Sequence, residues 1–247
     1  MMLKNKVSLI TGSSGGIGIS LIKKFSENGS DIICCARKKT QEFENTLKEI
    51  SKKNDNSIVP IYFDLNKEGE ILEGIKKIIS HNQNIDVLVN NAGIDQVSLF
   101  QMTTNEKIKE VFQVNFFSIL TLVRGILKIF IKNKKGSIIN ISSNAASECD
   151  AGRAIYSASK SALNSYTKSL SKELGSFNIR VNAVSPGLTN TKMIKKGLNK
   201  NILEETIKKI PLKRIAEPEE IANVVLFLAS DMSSYINGEI INVTGGY

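Results

Sequence analysis

The sequence predicts an α/β fold: one doubly wound domain over residues 1–247, a seven-stranded parallel sheet with helices on both faces. Three observations predict it. Short β-rich runs recur at wide, fairly regular intervals, and the stretches between them have helical spacing. The β-rich runs are also apolar almost throughout, as strands covered on both faces must be. The length suits one α/β domain better than two small ones, and neither an internal repeat nor a linker-like stretch interrupts the chain.

The elements follow in order. Residues 7–10 read as the first strand; 31–36, 58–63, 86–89, 137–141, 179–184 and 239–243 read as the other six. After the first strand, Ile17, Leu21, Ile22 and Phe25 share a helical face, and after the third, Ile71, Ile75, Ile78 and Ile79 do so. Thr103 with Glu106 fits a capping box, and Glu217-Pro218-Glu219-Glu220 places Pro and acids in a first turn. Residues 105–132 and 153–174 read as long helices whose outer faces keep Phe112, Phe116, Phe117, Leu163 and Tyr166. The last strand falls at the sheet edge, where a partner could cover it.

Composition narrows the function classes. With 41% hydrophobic and 23% charged residues, 17 Gly and 4 Pro, disorder and collagen-like structure are excluded. No apolar run approaches the ~20 residues of a membrane helix, and residues 1–6 do not read as a secretory signal. Cys34, Cys35 and Cys149 have neither an even count nor metal spacing, so core thiols in a reducing compartment, a cytoplasmic location and no metal site are expected. The net charge of +9 comes from 28 Lys and 5 Arg, scattered in pairs such as Lys23-Lys24 and Lys76-Lys77. Nucleic-acid binders concentrate cations on one face, so solvated helix faces are expected here, with neither nucleic acid nor membrane as partner.

The first strand ends in Thr11-Gly12-Ser13-Ser14-Gly15-Gly16-Ile17-Gly18 and feeds a helix. Glycines at 12, 16 and 18 allow a sharp turn and close approach to a pyrophosphate, which the helix N-terminus would bind. This is the Rossmann form of a doubly wound fold. Tyr156 and Lys160 are four apart and stack on one helical face. A nearby ammonium would favour the phenolate and move the tyrosine toward neutral pH; a surface pair is the alternative reading of that spacing alone. Ser143 ends the fifth strand, at the sheet edge where open α/β sheets bind ligands, with Ser142 as its competitor. Asn115, between Val114 and Phe116, is a polar residue in an apolar helix and needs partners.

Together with Asn90-Asn91-Ala92-Gly93 after the fourth strand and Pro186-Gly187 after the sixth, these motifs resemble the short-chain dehydrogenase/reductase family over nearly the whole chain. The resemblance implies Asn115, Ser143, Tyr156 and Lys160 as the catalytic set, with Asn115 holding a water near the lysine. It implies cofactor contacts from Gly12, Ser13, Ser14, Gly16, Ile17, Gly18, Arg37, Asp64, Leu65, Asn91, Ala92, Gly93, Tyr156, Lys160, Pro186, Gly187, Thr189 and Thr191. Ala36 stands where an acid would favour NAD, and Arg37-Lys38 follow, which suits the 2′-phosphate of NADP(H).

Residues 211–239 look like the corresponding stretch of 3-oxoacyl-[acyl-carrier-protein] reductases. That implies an NADPH-dependent reductase of 3-oxoacyl thioesters, an acyl carrier protein as possible partner and a homotetramer. Asp95-Gln96-Val97 and Phe177 depart from that pattern, while Lys134 and Lys135 could supply part of a basic docking patch. A reductase or dehydrogenase of sugars or nucleotide sugars, and a non-catalytic nucleotide-binding regulator on the same fold, are the alternatives. Residues 192–211 are expected to form a lid.

Overall fold

The computed structural model describes residues 1–82, 84–192 and 200–247. In chain order the elements are β1 (Val7–Thr11), α1 (Gly16–Glu27), β2 (Asp31–Ala36), α2 (Gln41–Asn54), β3 (Ile58–Tyr62), α3 (Glu68–His81) and β4 (Val87–Asn90). Then come α4 (Asn105–Phe112), a π turn (Gln113–Phe117), α5 (Ser118–Asn133), β5 (Gly136–Ile141), α6 (Ala145–Glu148), α7 (Ala154–Leu174) and β6 (Ile179–Pro186). The chain closes with α8 (Lys200–Lys209), α9 (Pro218–Ala229) and β7 (Ile240–Val243). The expected lid runs across 193–199, which lie outside the described residues.

The seven strands form one sheet in the order β3-β2-β1-β4-β5-β6-β7, every pair parallel. Successive residues point to opposite faces, and both faces are apolar. Ile10, Cys34, Val89 and Ile139 look toward α1, α2 and α9, while their neighbours Leu9, Ile33, Leu88 and Ile138 look toward α3, α5 and α7. Winding starts at β1 and proceeds outward to β3, then returns to β4 and proceeds the other way. The crevice between β1 and β4 is therefore the switch point, where open α/β sheets hold ligands.

Four expectations need correction. The cap of α4 is Thr104, which accepts from Lys107 N–H at 3.3 Å; Thr103 instead faces Ser98 Oγ at 2.7 Å. Leu163 is fully buried under the sheet, so the outer aromatic face consists of Phe112, Phe116, Phe117 and Tyr166, with Phe117 half exposed. Asn105–Asn133 runs on as one helical stretch, long and apolar enough by length and composition to cross a membrane. Part of its apolar content is buried in the core, at Ile119, Leu122, Val123, Ile126 and Phe130. Lys134 and Lys135 precede β5 and so lie at the opposite end of that strand from Ser143, about 20 Å away along six residues. Lys135 is also held by Asp86 at 2.6 Å.

The acid-rich start of α9 forms as the sequence implies: Pro218 is its first residue and Glu220 accepts from Glu217 N–H at 2.8 Å. The other end of α9 depends on a long-range tie. Arg180 on β6 donates to the carbonyls of Leu228 (2.8 Å), Ser230 (3.1 Å) and Ile236 (3.4 Å), satisfying a helix C-terminus with a cation and fixing the path into β7. Arg180→Ala removes a charge-assisted donor shared by three carbonyls, each of which keeps another partner (Ser137 and Ser233 at Leu228 O, Ser233 at Ser230 O, Asn182 at Ile236 O), and we expect a loss of about 1–2 kcal/mol in urea unfolding. A change inside the error of the extrapolation would contradict the role given to this tie.

Candidate active site

The site begins with a clasp across the switch point. Thr11 Oγ1 accepts from the backbone N–H groups of Asn91 (3.0 Å) and Ala92 (3.1 Å), and Asn91 Nδ2 donates to the carbonyls of Thr11 and Gly12, both at 3.0 Å. Gly12 has φ +63°, and a Cβ there would lie 2.7 Å from Ala92 Cα, so neither the turn nor the clasp tolerates a side chain. The glycine turn is thus held open over the strand ends.

Above it lies a cleft of about 770 Å³. The turn and first residues of α1 line it from Gly12 through Ser14, Gly16, Ile17 and Gly18; Arg37 closes the β2 end, Asp64 and Leu65 the β3 end, and Asn91, Ala92, Gly93 and Thr191 the β4 side. At Ile17, Asn91, Gly93, Ile94 and Thr191 the cleft opens into a second cavity of about 130 Å³. Ser143, Tyr156, Lys160, Pro186, Gly187 and Thr189 meet there.

Two tethers place the reactive end of α7. Lys160 Nζ donates to the carbonyl of Ile141, the last residue of β5, at 2.8 Å and lies 5.9 Å from the Tyr156 ring centre. Ser161 Oγ donates to Ala146 O at 2.9 Å. Asn115 sits behind, fully buried in the π turn. It accepts from Ile94 N–H at 2.9 Å and donates to Ile94 O at 3.0 Å and Ser159 Oγ at 3.1 Å. A Cβ on Gly93 would come 3.3 Å from Asn115 Oδ1 and 3.5 Å from Lys160 Nζ, which measures how closely the two groups approach the cavity junction.

Burial dominates the electrostatics. It lowers Lys160 to about 8, against a weaker upward pull from Asp95. It raises Tyr156 above the ordinary phenol value; hydrogen bonding to Ser143 and the charge of Arg153 pull back, while Asp95 pushes the same way as burial. The direction for Tyr156 is opposite to the one expected from an adjacent ammonium, because desolvation outweighs the neighbouring charges.

Ser13 departs from its assignment. Its N–H donates to Cys35 O at 3.1 Å and its hydroxyl to Ile10 O at 2.7 Å, so it faces inward and shapes the turn instead of lining the cleft. Ser142 shares the second cavity with Ser143, but its buried hydroxyl has no partner among the described residues, whereas Ser143 bonds toward Tyr156. Among the lining residues that escaped the sequence reading are four charged ones. Lys23 and Glu42 reach the large cleft from the solvent sides of α1 and α2, and Asp95 and Arg153 line the small cavity as an ion pair at 3.3 Å. Helical spacing from the glycine turn could have signalled Lys23; nothing local signals the meeting of residues 58 positions apart.

A family model described as enoyl-(acyl carrier protein) reductase matches residues 12–247. A solved structure titled short chain dehydrogenase/reductase family protein superposes with a TM-score of 0.89 at 31% identity, over 100% of this chain and 98% of that one. The chain belongs to the short-chain dehydrogenase/reductase family. It is similar to the 3-oxoacyl-[acyl-carrier-protein] reductase FabG of Chlamydia muridarum, 36% identical over 245 residues (99% of this chain, 98% of the relative). It is also similar to a 3alpha-hydroxysteroid dehydrogenase of Mediterraneibacter gnavus, 40% identical over 248 residues (99% and 98%).

As a member of this family the protein is an NAD(P)-dependent oxidoreductase acting on CH–OH and C=O groups. The cleft fits such a cofactor. A glycine turn leads into a helix N-terminus for phosphates, and Arg37 and Lys23 are exposed cations with no ion pair among the described residues.

The low Lys160 value has a stability consequence. Between pH 8 and 10.5 the unfolded chain binds more protons at this residue than the folded one, so folding gains from it as pH rises through that window. Lys160→Met removes the linkage. In urea unfolding from pH 7 to 10.5, we expect the parent to gain about 3 kcal/mol relative to the variant. A difference independent of pH would show that Lys160 titrates normally.

Proposed function

We infer that the protein is an NADPH-dependent reductase of 3-oxoacyl thioesters, with an acyl carrier protein as the bearer of the acyl group. The observation that carries this reading is the junction of the two cavities. The long cleft along the strand ends opens beside the Tyr156 and Ser143 hydroxyls, so a nicotinamide lying in the cleft would end where those hydroxyls meet a carbonyl. A nicotinamide cofactor held by the glycine turn and Arg37 would supply the hydride for the carbonyl carbon. Ser143 donates a hydrogen bond to the carbonyl oxygen, and Tyr156 Oη delivers the proton that the oxygen needs as it becomes an alkoxide. Lys160, anchored on Ile141 O, keeps a positive charge beside the phenol as its proton leaves. Asn115 is a positioning residue: its amide is engaged with Ile94 and Ser159, which fixes the loop at the cavity junction to α7.

The substrate class draws support from the similarity to the FabG relatives, and the net charge of +9 suits an acidic carrier protein. The aromatic face of Phe112, Phe116, Phe117 and Tyr166, with the open edge at β7, is where we place contacts between copies in a homotetramer. Sugars are the less favoured substrates.

Tyr156→Phe should bind NADPH as the parent does, yet reduce S-acetoacetyl-N-acetylcysteamine about 10³-fold more slowly. The same assay run on a 3-oxosteroid and a keto sugar tests the class. If either is reduced and every 3-oxoacyl thioester fails, the thioester reading is wrong.

For the cofactor, Ala36 offers no carboxylate to a ribose hydroxyl, and Arg37 and Lys23 offer unpaired charge to a phosphate, with Glu42 among the acids that line the same cleft. NADPH should outperform NADH. Arg37→Asp should shift the preference toward NADH, and Glu42→Gln should tighten NADPH binding severalfold, about what one removed like charge provides. Equal efficiency of the parent with both cofactors would overturn the assignment.

A further inference from the structure

The ion pair in the small cavity has no place in the proton chemistry above. Arg153 immediately precedes α7, three residues before Tyr156, and its Nη2 lies 3.3 Å from Asp95 Oδ2. Both side chains are only 17% exposed, and the guanidinium carbon sits 5.8 Å from the Tyr156 ring centre. Backbone fixes the pair from both sides. Asp95 Oδ1 accepts from Gln96 N–H at 2.8 Å, and Ser98 N–H donates to Gly152 O at 2.9 Å, which ties the loop after β4 to the loop before α7.

We propose that Arg153 is a specificity residue: held by Asp95, it donates hydrogen bonds to the second, thioester carbonyl of a 3-oxoacyl substrate whose 3-oxo group meets Ser143 and Tyr156. The proposal rests on the thioester reading and deepens it. A guanidinium carries five N–H donors in a planar fork, and among the described residues Asp95 is the only polar partner this one has. A largely buried cation with unused donors is costly unless a ligand acceptor meets it. The two carbonyl carbons of a 3-oxoacyl thioester flank a single methylene, so a donor over the Tyr156 ring is placed to reach the second oxygen while the hydroxyls hold the first.

Charge selects the kind of acceptor. Arg153 and Asp95 sum to zero, so a neutral carbonyl loses nothing to repulsion, whereas a carboxylate drawn to Arg153 also meets Asp95. The pair therefore favours the thioester over the free 3-oxo acid, and over a ketone with no second oxygen. The pull of Asp95 and Arg153 on Tyr156 acts on every substrate alike, so comparing substrates isolates recognition from acidity.

The test compares kcat and KM for S-acetoacetyl-N-acetylcysteamine and for heptan-2-one in the parent, Arg153→Ala, Arg153→Gln and Asp95→Asn, with unchanged NADPH binding as the check on folding. We expect Arg153→Ala to lower kcat/KM for the thioester about tenfold or more, mainly through KM, while the ratio for heptan-2-one moves about twofold or less. Arg153→Gln should recover part of the loss, and Asp95→Asn should make free acetoacetate a tighter inhibitor. Equal losses on both substrates would overturn the proposal and leave the thioester reading standing, since Arg153 would then act through Tyr156. A parent that reduces the ketone but not the thioester would overturn both.

Discussion

Everything functional in this fold depends on the clasp between Thr11 and the loop after β4. A parallel sheet that winds outward in two directions leaves a crevice where the directions part, but a crevice alone is a gap between loops. Here the Thr11 hydroxyl accepts two backbone N–H groups and the Asn91 amide returns two bonds to the carbonyls that begin the glycine turn. The turn is thereby fixed relative to β4, which fixes the start of α1 relative to Gly93 and Ile94. The large cleft and the small cavity share those residues, so one set of hydrogen bonds holds the relative position of both.

The second constraint is desolvation around α7. Lys160 is a cation with almost no access to water, satisfied by one backbone carbonyl in the described structure. Its charge is therefore held at a cost to stability, in a place where folding alone would favour an apolar side chain. Such local conflict is the mark of a residue retained for chemistry. The inward-facing thiols show the contrast. Burial pushes Cys34 up to about 12, against a weaker backbone hydrogen bond that pulls it down, and pushes Cys35 well above the usual thiol value. They are core packing, while Cys149 is exposed.

The sheet was legible because both of its faces are covered: each strand is a short apolar run, and helical stretches separate the runs, one helix in each gap up to β4 and two in each described gap after it. The glycine turn, Tyr156, Lys160 and Ser143 were legible because they occupy strand ends and one helix face, positions that linear spacing encodes. Ser13 was misread because a side chain inside a tight turn has two directions, and the choice depends on whether Ile10 O needs a donor. The cap at Thr104 was missed by one residue because Thr103 is the better match to the motif, yet it is drawn away by Ser98 and Gln96. Asp95 with Arg153, and Arg180 with the end of α9, were invisible because each joins segments far apart in sequence through contacts that leave no periodic trace. The shift of Tyr156 was misjudged in sign because spacing reports neighbours and not solvent.

The π turn at Gln113–Phe117 sets the phase between two helical faces. A π turn is in effect one residue inserted into an α-helix, and each residue advances the helix by about 100°. Asn115 faces Ile94 and Ser159 on one side of that insertion, and Ile119, Leu122, Ile126 and Phe130 face the sheet on the other. Deleting a single codon within the turn, other than that of Asn115, would leave the composition almost untouched and give a more regular helix. It would also rotate one face by a quarter turn or more against the other, so the amide could meet its partners or the core could close, but not both. The irregularity is thus a frame marker, which fixes the length of the chain at this turn as the bonds of Asn115 fix its identity.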